Sequence, residues 1–105
     1  MIVKEYIRED KSHPFREWFN TLDAQTAVKV AVATARLEQD QTSSIQWFDC
    51  IGEYKINWGS GYKIYFAKDG EELIILLFGV TDRNKQKENV NRAIKLYQEY
   101  KHRKE

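Results

Sequence analysis

The chain has 105 residues, 42% hydrophobic and 31% charged, with a formal net charge of +1. Such a composition fits one small globular domain over residues 1–105, with a core but little interior left for a deep pocket. No run of about 18 apolar residues occurs and Met1-Ile2-Val3-Lys4-Glu5 has no signal-peptide character, so the expectation is a cytoplasmic protein with no membrane association.

In chain order, Ile2 to Ile7 is rich in β-branched and aromatic residues and reads as a first strand. Ser12 offers an N-cap and Pro14 suits a first helical turn. Phe15, Trp18, Phe19 and Leu22 then recur with helical spacing, which predicts a helix with these residues in the core. Asp23 caps a second, alanine-rich helix running to about Gln39, and residues 40–44 form a polar connection with a short strand possible near Ile45–Asp49. From there the period becomes two. Residues 53–58 and 62–67 alternate around Gly59-Ser60-Gly61, and Lys68-Asp69-Gly70 makes a second turn. Glu72 to Phe78 is almost wholly apolar, as expected of a strand covered on both faces. A last helix carries Val90, Ala93, Ile94, Tyr97 and Tyr100 on one side. The expectation is an α+β fold in β-α-α-β-β-β-α order, with a helical hairpin and a C-terminal helix against a twisted antiparallel sheet.

Charge is divided unevenly. Residues 1–82 carry a net −4 and residues 83–105 a net +5, so the last segment suits a phosphate backbone or an acidic partner, or else is a solvated helix and tail. The hairpin adds a second cue. A three-residue loop pairs Trp58 with Tyr62 and Lys55 with Tyr65, which puts Tyr54, Ile56, Trp58, Tyr62, Ile64 and Phe66 on a core face. Glu53, Lys55, Asn57, Lys63 and Tyr65 then share the opposite, solvent-facing side. That patch is either the wet side of an antiparallel sheet or a binding face. Lys55 and Lys63 lie close together there, an arrangement that destabilises a sheet unless an anion is present. Cys50 is the single cysteine, and His13 and His102 have no ligand-spaced partner, so neither a metal nor another cofactor is expected.

Three segments carry a resemblance. Gly52-Glu53-Tyr54-Lys55-Ile56 is similar to G-x-x-E-L-R-I, and Gly59-Ser60-Gly61-Tyr62-Lys63-Ile64-Tyr65-Phe66 to G-P-G-Y-R-V-Y-F. Leu76-Leu77-Phe78-Gly79, followed by Lys85-Gln86, Val90 and Ala93, is similar to L-L-x-G-G-D-K-x-x-Q and its closing helix. The Phe15-x-x-Trp18 helix and the end of the second helix at Arg36-Leu37 also fit. In these motifs the chain resembles toxins of the RelE/ParE superfamily, specifically the HigB-like addiction module killer group, with lysine at both strand-motif arginines.

The resemblance implies a type II toxin neutralised by a helix-turn-helix antitoxin from an adjacent gene. It further implies a metal-independent, ribosome-associated mRNA endonuclease that inhibits translation. Position by position, Lys55, Lys63 and Arg83 (or Lys85) match the basic residues of the motifs. RNA cleavage through the 2′-OH needs a base, charge for the phosphorane and an acid for the leaving oxygen. Lys63 and Arg83 are the candidates for charge. Lys55 is the candidate base if crowding lowers its pKa, with Glu53 competing for that role, and Tyr65 stacks on a base or orients the ribose. Asn57, Lys85, Lys87 and Arg36 complete the expected RNA contacts. The alternatives are a ParE-like toxin that inhibits DNA gyrase without nuclease activity and a non-catalytic nucleic-acid- or protein-binding module.

Overall fold

The computed structural model describes residues 1–41, 43–81 and 85–104. The chain forms β1 (Ile2–Glu5), α1 (Pro14–Phe19), α2 (Ala24–Glu38), β2 (Ile45–Phe48), β3 (Ile51–Ile56), β4 (Tyr62–Asp69), β5 (Leu73–Val80) and α3 (Gln86–Lys104). The fold is α+β, and the short strand near Ile45 is present. The five strands lie in the order β1-β5-β4-β3-β2. All neighbours are antiparallel except β1 and β5, which run parallel, so the sheet is mixed rather than antiparallel throughout. The helical hairpin between β1 and β2 is long enough to carry the chain back over the sheet, which a tight turn cannot do.

Capping follows the expectation at α2 and departs from it at α1. Asp23 accepts a 2.8 Å hydrogen bond from the Thr26 amide, satisfying one orphan donor of α2. Ser12 does not cap α1. Its amide and hydroxyl are both bound to Asp10 Oδ1, and His13 occupies the N-cap position.

Helices cover both faces of the sheet. Under α1 and α2, Phe15, Val30, Ala33 and Leu37 pack on Tyr54, Ile56, Ile64, Phe66, Ile74 and Leu76, with Trp58 and Tyr62 at the border. Under α3, Val90, Ala93, Leu96 and Tyr97 pack on Ile51, Tyr65, Ala67, Ile75, Leu77 and Phe78. Leu96 takes the buried place expected for Ile94, which is 38% exposed. Two glycines admit aromatic rings. A Cβ on Gly79 would lie 2.2 Å from the Trp18 ring and one on Gly52 would lie 2.3 Å from the Phe66 ring. A bulge in β5, where Tyr65 pairs with Phe78 but Phe66 with Leu76, turns both Leu77 and Phe78 toward α3.

The β3–β4 connection corrects the expected register. Tyr54 pairs with Ile64, Lys55 with Lys63 and Ile56 with Tyr62, so the loop spans residues 57–61. A five-residue loop is still odd, so the two sets of side chains stay on the faces assigned to them. The pairing itself moves by two residues, and Lys55 faces Lys63 rather than Tyr65. Gly59 (φ 57°) and Gly61 (φ 93°) supply the left-handed conformations that this wider turn requires.

Candidate active site

The candidate residues gather at the end of the sheet where β3 finishes, β4 begins and α3 starts. The face holding Glu53, Lys63 and Tyr65 is not wet, because α3 lies across it. Glu53 and Tyr65 are fully buried and Lys63 is 7% exposed, whereas Lys55 and Asn57 are exposed. Alternation alone does not reveal this, since a polar residue under a helix has the same period as one in water.

Glu53 organises the cluster. Its Oε2 accepts a 2.6 Å hydrogen bond from the Tyr65 hydroxyl, and Gln86 Nε2 donates to both carboxylate oxygens at 3.2 Å. The Lys63 ammonium lies 3.8 Å from Glu53 Oε2. The anion required by two facing lysines is therefore supplied by the protein itself, and their juxtaposition alone does not demand an external phosphate. Burial, reinforced by the bond to Glu53, raises the Tyr65 pKa far above its usual value, so the phenol remains a neutral donor. A smaller, opposing influence comes from Asn89, and the Tyr65 ring stacks on Phe78 with centroids 5.1 Å apart.

Two expected roles are corrected by this geometry. Tyr65 has no ring face open to a nucleobase. Glu53, with both oxygens engaged and no exposed surface, holds Lys63 in position and does not reach a substrate hydroxyl. Lys63 and the exposed Lys55 remain as the pair that addresses the rim.

The first turns of α3 extend this rim. Lys85 and Lys87 are exposed beside Gln86. Arg92 places its guanidinium 4.0 Å from the Phe78 ring centroid, and desolvation over that ring, with a smaller contribution from Arg8, lowers its pKa. Sequence reasoning missed Gln86, Asn89 and Arg92 as site residues. Their i, i+3, i+6 spacing was the available signal, since it puts all three on one face of the helix. Arg83 lies outside the described residues. Arg36 and Asn57 belong elsewhere, to a groove between α2 and the outer edge of β3 that Lys55 also lines.

Among the described residues, no group of three or more His, Cys, Asp or Glu side chains is placed to hold a metal ion, and no helix is long and apolar enough to cross a membrane. No protein-family model, curated protein or solved structure matches the chain.

Proposed function

We propose that this chain is the toxin of a type II toxin–antitoxin pair, of HigB-like RelE/ParE type, and that it cleaves mRNA at the ribosome. The observation that carries the reading is the buried Glu53 carboxylate, which fixes the Lys63 ammonium at 3.8 Å beside its exposed cross-strand partner Lys55. Burying a carboxylate and an ammonium is costly, and a small domain gains nothing in stability from the pair that apolar residues would not also provide. Their retention at a cationic rim supports a role in binding a phosphate. A helical hairpin after β1 and a basic helix after the last strand also support this reading.

In this reading Lys63 is a fixed positive charge for the developing phosphorane, with Lys55 next to the ribose and Arg83 as a further cation. The 2′-OH supplies the nucleophile, so the chemistry needs oriented charge and proton transfer rather than a protein nucleophile. Lysine presents a point charge where arginine would make a two-pronged contact, so positioning by Glu53 substitutes for the missing fork geometry.

The test is induced expression with and without the neighbouring gene, for the wild type and the Lys55→Ala, Lys63→Ala and Arg83→Ala variants, followed by mapping of transcript ends. The expected result is growth arrest with new transcript ends, abolished by Lys63→Ala and relieved by the neighbour. Growth arrest with intact mRNA and DNA-damage signalling would overturn the nuclease reading in favour of gyrase inhibition. Absence of any growth defect would leave a binding module.

A further inference from the structure

We propose that the groove between α2 and the outer edge of β3 is a track for single-stranded RNA, continuing from the Lys55–Lys63 rim. The groove has a volume of about 340 Å³ and is lined by Lys29, Arg36, Ser44, Lys55, Asn57 and Trp58, together with apolar residues of both elements. Among the described residues, every charged one lining it is a cation. Lys29 and Arg36 are seven residues apart on α2, which places them on one side of the helix about 10 Å apart along its axis.

The wall is built in advance. The Trp58 indole donates to Thr26 Oγ1 at 3.2 Å, tying the loop after β3 to α2, and Lys29 Nζ sits 4.7 Å from the Trp58 ring centroid. Val28 and Val32, which are 61% and 44% exposed, supply apolar surface beside these charges. The pairing of β2 with β3 ends at Ile45–Tyr54, so β2 does not cover the β3 edge at Lys55 and Ile56.

Lys55 decides the occupant. It lines the groove and is also the register partner of Lys63, whose side chain lies on the α3-covered face, so a backbone with one phosphate at Lys63 bends round the uncovered β3 edge at Lys55 to enter the groove between Arg36 and Lys29. Cations spaced along a channel beside apolar and aromatic surface are what a flexible, regularly charged strand requires. The proposal rests on the function above for the choice of RNA, but binding here needs no cleavage.

The test uses a fluorescently labelled 12-nucleotide 2′-O-methyl oligouridine, which has no free 2′-OH to attack, in an anisotropy titration over a range of salt concentrations. For the wild type, Lys29→Ala/Arg36→Ala and Lys63→Ala, helical content is checked by circular dichroism. Loss of two phosphate contacts from a single strand predicts a salt slope shallower by about 1.4 and roughly tenfold weaker binding in the double variant. Binding and slope unchanged in that variant would overturn the proposal. So would displacement of the oligomer by a polyglutamate peptide of equal charge at lower concentration, which would assign the groove to an acidic protein segment. Oligomer binding that depends on Lys29 and Arg36, without any mRNA cleavage in cells, would sink the nuclease reading and leave the groove standing. Cleavage with no such dependence would do the reverse.

Discussion

The two faces of the sheet are held by different means. Beneath α1 and α2 the contact is apolar, and its fit is set by shape, with Trp18 seated on Gly79 and Phe66 on Gly52. Beneath α3 the core is apolar in the middle but ends in a polar cluster, where Glu53, Tyr65 and Lys63 are as buried as their aliphatic neighbours. The ends of α3 are tied by polar contacts, Gln86 to Glu53 at one and Tyr100 and Lys104 to Asp69 at the other. The first face contributes stability. The second accepts the cost of burying charge in return for a fixed geometry, and the candidate chemistry lies there.

Substitutions that break one face at a time sharpen the contrast. Glu53→Ala removes the buried carboxylate beside the nearly buried Lys63 ammonium, and urea denaturation is expected to show a loss of about 3–5 kcal/mol. Glu53→Gln should lose less, because it keeps a hydrogen-bond acceptor for Tyr65. On the opposite face Leu37→Ala opens a cavity at a fully buried site and should cost about 2–5 kcal/mol by the same measurement, with growth arrest on expression retained in the fraction that folds. Gly79→Ala drives a methyl group into the Trp18 ring and is expected to cost about 1–3 kcal/mol. Combining it with Trp18→Leu should recover part of that loss, since the three atoms nearest to the added methyl group all belong to the Trp18 ring.

A smaller effect is expected from acid. Bonds from Arg8 and Tyr6 hold the Glu99 carboxyl below its usual 4.5. The folded protein therefore binds fewer protons at this group than the unfolded chain, and stability rises with pH through the carboxylate range. The contribution is complete above about pH 4.5 and is lost as pH falls through the lower folded value. Glu99→Gln should flatten that part of a stability–pH curve. Least of all, Lys55→Ala removes an exposed side chain and should change stability by under about 0.5 kcal/mol while reducing transcript cleavage, which separates the rim from the scaffold.

Much of this architecture was legible from local pattern. Alternation around the Gly59-Ser60-Gly61 turn assigned Tyr54, Ile56, Ile64 and Phe66 to one core face, and Asp23 marked the start of α2, because both signals act between residues near in sequence. The exact pairing was less legible. Loops of three and five residues preserve the same alternation, so Lys55 was set against Tyr65 when its partner is Lys63. Gln86, Asn89 and Arg92 were less legible still, because their meaning depends on what α3 lies against.

Composition, periodicity and turn chemistry by themselves determined the element order, apart from an optional fourth strand in the meander, and the parity of the hairpin faces. Those are properties of the chain over stretches of a few residues. Only the tertiary structure decided that β1 runs parallel to β5 and that α3 covers the Glu53 face. Whether a polar side chain is wet or buried depends on elements far away in sequence, and that placement changes Glu53 from a candidate base into the anchor of Lys63.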